Sequence, residues 1–542
     1  MPPHGSSMTK TESPGPSERR TFLSASGFED DDVALLELRL ANTRAPTSSP
    51  RPAREASSAI EHVIRLSSID HCMPRAYIRV CLAFRLPHPD SAGEALRGLG
   101  RFLTATVNAA PFLAGYVHPS PEEGDGAIGR VEIRFTRDDV DTFPTTQTRC
   151  YTNEEMPWTY DELSNRGLPP SAIRPDLVSA LPENTDDGRA PVFRVQANLL
   201  EGGIIVSVYL HHCVTDGSGL GLLVSGSILN SAHIRERTNG TPDSVMTNGR
   251  GGYSAGGEDD LDAIARIETR SRGKLSHSRG YDTQRQYSHN TPVPGDTASR
   301  TASSTGRGCV FTIPHLKMDA FKSLIMKSLP KDDNDVTPFV TDHDVLQALL
   351  WHHLTQARKH SVNHAKVNSS TLLIPVNIRG RMTPPLPSSY FGSAVDFASV
   401  HQTITHLSTS TPSSYAMTAL AIRHAVAAVQ DSYVRATINL SNTPSIDVRD
   451  LLAANINRAT GADMYITSWL GLPLYEKGDL GMGLGMPDWV RKPWSRDPGA
   501  CIILPQDPRK KVLEVVVQMT AADMERLLKD EVFMGFVERT VE

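Results

Sequence analysis

Long apolar runs are missing from this chain: no stretch among its 542 residues approaches the roughly 20 needed to span a bilayer. Clustered cysteine is missing too. The six cysteines (Cys72, Cys81, Cys150, Cys213, Cys309, Cys501) are scattered, with no CxxC and no Cys/His group at metal-ligand spacing. No metal site is therefore expected, and free thiols in a reducing compartment are. Positive charge is not in excess. With 55 Lys+Arg against 61 Asp+Glu and a net charge of −6, the chain lacks the basic surface that advertises a nucleic-acid partner. The N-terminal MPPHGSSMTKTESPGPSERR is polar and has no signal-peptide apolar core, and the C-terminal Arg-Thr-Val-Glu is no peroxisomal address. The expectation is a soluble, cytoplasmic monomer without a membrane span.

What is present is an ordinary globular composition, 39% hydrophobic and 21% charged, in a chain long enough for two cores. Residues 1–56 are rich in Ser, Thr, Pro and Arg without sustained periodicity and read as a disordered tail. A second such stretch, 237–307, is too long to lie inside a compact domain and reads as a linker. Its single RGG-like fragment is a weak nucleic-acid signal in an acidic chain. Two lobes remain, 57–236 and 308–542.

Both lobes mix strands with helices. Phe193, Val195, Ala197 and Leu199 alternate with Arg194, Gln196 and Asn198, the period of a half-buried strand. Glu201-Gly202-Gly203 supplies a turn, and a more apolar strand from Ile204 to Leu210 delivers His211 and His212 at its end. The run after Gly217, SGLGLLVSGSILNSAHI, reads as a helix. In the second lobe a short strand at Cys309–Ile313 precedes a helix carrying Met318, Phe321, Ile325 and Leu329. Thr341 with Asp344 marks a helix start that presents Val345, Leu346, Leu349, Leu350 and Leu354 on one side. Leu513, Val515, Val517 and Met519 alternate as a strand, and Thr520 with Asp523 opens a last helix. The class is α/β, or α+β with mixed sheets.

The segment that carries chemistry is His211-His212-Cys213-Val214-Thr215-Asp216-Gly217. A histidine just past a buried strand sits on a rigid scaffold, and an imidazole with an ordinary pKa near 6.5 accepts a proton at neutral pH. Asp216 can orient the turn, and Gly217 lets the backbone swing into a helix. HxxxD alone is a weak signal: with 19 histidines and Asp at roughly one position in 20, about one chance match arises. The other match, His315 to Asp319, opens an amphipathic helix and reads as structural. His212 differs in its doubled histidine, its following glycine and its place after a strand, against the plainer reading of a satisfied buried histidine. Cys213 as a nucleophile is disfavoured, because adjacent side chains point apart and Cys is a common buried hydrophobe. Neither Gly217/Gly219/Gly221 nor Gly481/Gly483/Gly485 fits GxGxxG, since Leu222 and Met486 stand at the last position.

HHCVTDG resembles the signature of the acyltransferase superfamily that includes BAHD enzymes, chloramphenicol acetyltransferase and peptide-synthetase condensation domains. LSSIDHCMPRAYIRVCLAFRLP (66–87), PFLAG (111–115), TDHDVLQALLWHHLTQAR (341–358), PVNIRGRMTPPLPSSYFGSAV (375–395) and ITSWLGLPLYEKGDLGMGLGMPDWVRKPW (466–494) are similar, in order, to the fungal branch of BAHD-type trichothecene O-acetyltransferases. The resemblance implies two chloramphenicol acetyltransferase-like lobes enclosing a tunnel. It implies transfer of an acyl group, acetyl first, from acyl-CoA to a hydroxyl or amine of a small hydrophobic metabolite, with no bound cofactor and no covalent intermediate. It makes His212 the general base and pairs Asp216 with Arg379 or Arg381. Asp479, counted with them, would brace the DFGWG-like loop together with Gly481 and Gly483, while Thr467, Ser468 and Trp469 would lie near the acyl-CoA path. Leu480, Met482 and Ser393 depart from the family pattern of Phe, Trp or Leu, and Asn. Two other readings share the motif: a condensation-like domain fed by carrier-protein thioesters, and a non-catalytic binding member of the fold.

Overall fold

In the computed structural model the alternating segment and its turn form a hairpin. Strand Phe193–Leu200 pairs antiparallel with Gly203–His211, and Leu200 opposite Gly203 leaves Glu201 and Gly202 as a two-residue loop. Gly202 takes φ of +80°, a conformation open to glycine, so the turn chemistry fixes the register that ends the second strand at His211. The structure describes residues 61–229 and 306–542, excepting 122–127, 146, 153, 183–184, 186–187, 332–337, 362–366, 443–446, 452–461 and 494–498. The expected tail 1–56 and all but the last two residues of the expected 237–307 linker lie outside them.

The hairpin belongs to a five-stranded sheet in the order Trp489–Arg491, Tyr77–Arg85, Gly203–His211, Phe193–Leu200, Gln147–Cys150. A seven-stranded sheet holds Val395–Thr403, Ser369–Asn377, Met464–Ser468, Ala500–Ile503, Val512–Thr520, Gly306–Pro314 and Arg539–Val541 in that order. Only the pairs on either side of Met464–Ser468 are parallel there. A small antiparallel sheet joins His62–Arg65, Val131–Phe135, Tyr116–Pro119 and Ala190–Pro191. The architecture is the mixed α/β class expected.

The two halves of the chain are not separate in space. Trp489–Arg491 pairs with Tyr77–Arg85, opposing Val490 to Leu82, and so completes the sheet of the first half with residues from the second. Buried Arg491 rivets the junction: it bonds both oxygens of Glu514 at 2.9 Å and the carbonyl of Gly167 at 2.8 Å.

Several local expectations change on contact with tertiary structure. Phe193–Leu200 is covered on both faces, not one. Asn198 is fully buried, its amide bonding the Ile205 carbonyl and its Oδ1 accepting from Tyr151 and Gln196. Its polar residues read as a solvent face, yet they form a satisfied interior network. The helix after Asp216 is only Gly217–Val224, stopped where Gly226 takes φ of +67°. Helix Asp342–Arg358 has the expected Thr341/Asp344 capping box but is buried nearly all round, because helices His315–Ser328, Pro412–Ala428 and Ala521–Leu528 all pack on it. The first strand of the second half runs nine residues, Gly306–Pro314. The chain end holds two helices, Ala521–Leu528 and Glu531–Phe536, and a closing strand. Among the described residues no helix is long and apolar enough to cross a membrane, and no group of His, Cys, Asp or Glu has metal-binding geometry. All six cysteines are free.

Candidate active site

His212 is the first residue past the strand Gly203–His211, and its backbone is held from both halves of the chain. Its N–H donates to the Ala76 carbonyl at 2.8 Å, and its carbonyl accepts from the Ser393 hydroxyl at 3.0 Å. The residue is half-buried. Nδ1 is enclosed and has no hydrogen-bond partner among the described residues; the residue's own carbonyl acts on the ring electrostatically. That leaves the Nε2 edge as the accessible one. Burial holds the ring below its ordinary pKa, while that carbonyl and the Asp216 carboxylate favour the charged form. A ring that stays neutral at physiological pH, with one nitrogen directed away from the protein's own partners, is equipped to take a proton.

His211 differs. It is 1% exposed, its Nδ1 accepts from the Cys213 N–H at 3.2 Å, and its Nε2 lies 3.2 Å from the Thr185 hydroxyl. The first bond places the ring proton on Nε2, where it donates to Thr185. Burial, with Arg75 and His212 adding to it, pushes its pKa down to about 3. Both nitrogens are used, so this histidine is structural. Cys213 is fully buried; burial raises its thiol to about 11 although Arg75 donates to its Sγ. A thiol so held is no nucleophile at neutral pH.

Asp216 caps helix Gly217–Val224, accepting from the Gly219 N–H at 3.1 Å. Its carboxylate takes a bidentate bond from Arg379, at 2.7 and 3.1 Å, and the Ala394 N–H at 2.9 Å. Arg379 also donates to the carbonyls of Tyr390 and Gly392. Of the two arginines named from sequence, Arg379 is the partner. Arg381 is not: it donates to the carbonyls of Val426 and Val429 at 2.7 and 2.9 Å, because the short turn Arg379–Arg381 turns it away from Asp216. The helix start sits tight against the other half. A Cβ at Gly219 would fall 1.6 Å from Thr215 Oγ1 and 2.7 Å from the Phe391 carbonyl, so only glycine fits.

The remaining residues singled out from sequence form two further groups. Asp479 accepts from the N–H groups of Gly483, Leu484 and Gly485 at 2.7–2.9 Å. Gly481 and Gly483 take φ of +74° and +75°, and Leu480 takes +52°. That loop lies against helix Ser91–Ala109, where a Cβ on Gly98 would strike the Gly481 carbonyl at 2.2 Å. The two carboxylate oxygens are thus committed to the loop, and none of this group bonds His212 among the described residues. Leu480 and Met482 are both buried, so the departures from the family pattern still fill the loop's interior. Thr467 and Ser468 end the strand Met464–Ser468, and Trp469 follows, its N–H on the Ile503 carbonyl. The segment continues to Leu472 and Pro473, which flank Gly217 and Gly221 at the start of the helix after Asp216.

One contributor was not recognised from sequence. Asp70, 2% exposed, accepts from the Ser67 hydroxyl at 2.7 Å and from the Ser393 N–H at 2.8 Å. Burial raises its carboxyl to about 7, against the bonds from Ser67 and Ser393 and with Asp216 adding to the rise. Ser67-x-x-Asp70 is a capping box, a signal legible in the sequence. Asp70 and Asp216 therefore grip the consecutive amides of Ser393 and Ala394, and Ser393 in turn holds the His212 carbonyl.

The sequence matches the Transferase family over residues 162–534 and the trichothecene 3-O-acetyltransferase-like N-terminal domain over residues 76–230. Similar curated proteins include the acyltransferase easC of Emericella nidulans, 26% identical over 491 residues that cover 88% of this chain and 95% of that one. The O-acetyltransferase ptmV of Penicillium ochrochloron is 26% identical over 518 residues, covering 88% and 96%. Among solved structures, F. sporotrichioides TRI101 complexed with coenzyme A and T-2 superposes with a TM-score of 0.67 at 18% identity, over 88% of this chain and 100% of that one. Vinorine synthase gives 0.53 at 15% identity, over 91% and 96%. The resemblance read from the motifs is borne out, and with more than half of its length matched the chain belongs to the Transferase family.

Proposed function

We propose that this protein transfers an acyl group, acetyl in the first instance, from coenzyme A to a hydroxyl or amine of a small hydrophobic metabolite, with His212 as general base. The observation that carries the reading is His212 itself: a half-buried residue with an enclosed Nδ1, its ring held below the ordinary pKa by burial, at a seam built from both halves of the chain. The named relatives are acyl- and O-acetyltransferases, and the structural neighbour TRI101 carries coenzyme A, which supports the choice of donor.

A thioester is already activated, so the hard step is making a neutral hydroxyl attack it. Nε2 accepts the hydroxyl proton as the oxygen bonds to the acyl carbon. The tetrahedral adduct then collapses with cleavage of the C–S bond, and the imidazolium returns its proton to the departing thiolate. No covalent enzyme intermediate is needed, and Cys213 with its raised thiol pKa is not used. Asp216 and Arg379 act as positioning residues that hold the turn, and Asp479 braces its own loop. Thr467, Ser468 and Trp469 line the acyl-CoA path in this reading, supported by their continuity with Leu472 and Pro473, which lie against the helix after Asp216. The protein works as a cytoplasmic monomer.

The test is purified full-length protein with acetyl-CoA and a panel of hydrophobic alcohols and amines, following free coenzyme A and the mass of the products. His212→Ala is expected to lose roughly 10²–10⁴-fold in turnover with its fold intact, the range for removing a positioned base. Retention of more than about a tenth of the activity overturns the assignment. Turnover with an acyl-carrier protein but not with free acetyl-CoA would shift the donor to a carrier thioester.

A further inference from the structure

Resting on the reading of His212 as base, we infer that Ser393 is a positioning residue that sets the proton affinity and aim of the His212 ring through that residue's own carbonyl. Among the described residues the imidazole has no side-chain partner on Nδ1. In many histidine bases a carboxylate or a distant carbonyl fixes the tautomer; here the backbone group that favours the charged ring is the carbonyl of His212 itself. Whatever controls that carbonyl controls the ring.

Ser393 is the group that does so. It is 1% exposed, and its hydroxyl donates to the His212 carbonyl at 3.0 Å. It cannot drift, because its N–H is held by Asp70 at 2.8 Å and the next amide, Ala394, by Asp216 at 2.9 Å. On the opposite side the His212 N–H is fixed by Ala76. A carbonyl oxygen has two lone pairs. One takes the Ser393 hydroxyl, which orients the carbonyl and withdraws electron density from it. The other stays available to the imidazole, whose charged form this carbonyl favours, and Nε2 is then the nitrogen that takes the substrate proton. The charged and titratable groups near this turn are Asp216 on it, Asp70 behind Ser393 with its carboxyl raised to about 7, Arg379 on Asp216 and Arg75 at Cys213; His211 is neutral.

Removal of the hydroxyl has two consequences. The carbonyl loses its fixed direction, so the ring samples unproductive orientations and kcat falls. The carbonyl also becomes a better acceptor for the Nδ1–H of the imidazolium, so the ring holds its proton to higher pH. A residue that merely filled space would do neither once its volume was restored.

The experiment compares Ser393→Ala with Ser393→Cys in the full chain; cysteine keeps the volume but donates weakly. His212→Ala runs in parallel. The His212 pKa is read without any substrate, from the pH dependence of its carbethoxylation by diethyl pyrocarbonate, resolved by peptide mass spectrometry. Turnover is read with acetyl-CoA and whichever alcohol of the panel wild type acylates. For both variants the carbethoxylation midpoint is expected to rise by about 0.5–1 pH unit, the equivalent of one hydrogen bond. kcat is expected to fall about threefold to tenfold, with both KM values within about twofold. A Ser393→Cys protein with the wild-type midpoint and kcat overturns the inference, as does a loss confined to KM. Activity surviving in His212→Ala overturns the base assignment instead, so the two failures are separable.

Discussion

Replacing Asp216 by Asn tests whether this carboxylate is structural, and the structure sets the size of the effect. Four donors converge on its two oxygens: two nitrogens of Arg379, the Gly219 N–H and the Ala394 N–H. Asparagine offers one acceptor oxygen, and its amide would point two hydrogens at groups that are themselves donors. About half of the contacts are lost, and the guanidinium of buried Arg379 keeps only neutral carbonyls. Breaking a buried pair from one side costs about 3–5 kcal/mol. The assay is urea unfolding followed by the fluorescence of the five tryptophans and by far-UV circular dichroism. A second variant, Asp216→Asn with Arg379→Met, removes the orphaned charge and is expected to be less destabilised than the sum of the two single changes. Because the Asp216 carboxylate favours the protonated His212 ring, the acid limb of turnover in Asp216→Asn is expected to move to lower pH. If Asp216→Asn unfolds within about 1 kcal/mol of wild type, the buried-pair argument is wrong.

Stability itself is expected to fall on acidification. His71, His211 and His352 are buried and held near 3, chiefly by desolvation, whereas the unfolded chain protonates them near 6.5. Between those values the unfolded state binds more protons, so each group removes up to about 1.4 kcal/mol per pH unit as pH drops. Asp70, raised to about 7, works in the opposite sense over the same window, since the folded state takes its proton first. A His211→Gln variant should show a shallower loss in unfolding midpoint between pH 6.5 and 5; an unchanged slope contradicts the burial argument. Cys213→Ala should keep turnover within a few-fold of wild type, and iodoacetamide at pH 7.5 should leave Cys213 unlabelled, given a thiol near 11. Loss of activity comparable to that of His212→Ala would revive a thiol mechanism.

Much of the site was readable because it is local. The apolar strand, its two-residue glycine turn and the HHCVTDG segment lie within some 25 consecutive residues, and short-range rules govern each. Capping of the helix at Thr341 was readable for the same reason. What sequence could not give depends on register and on covered faces. The choice of Arg379 over Arg381 rests on how a single turn of 3₁₀-helix aims two side chains. The alternation at 193–199 suggested a wet face because Gln196 and Asn198 are polar, yet a polar residue with every bond satisfied is at home inside. Ser393 looked like a departure from a family pattern, and only the fold shows that its hydroxyl reaches His212 from 181 residues away.

The three-residue strand Trp489–Arg491 has a consequence for how the protein is made. While a ribosome is still assembling the second half, Tyr77–Arg85 emerges with one edge bare, and roughly 400 residues must follow before its neighbour exists. Nascent chains in that interval carry an unsatisfied strand flank, the kind of surface that recruits chaperones or other copies of itself. A gene fragment ending before Trp489 would inherit the bare edge permanently, so dissection of this protein into halves should yield aggregates, and co-expression of the missing piece should rescue them.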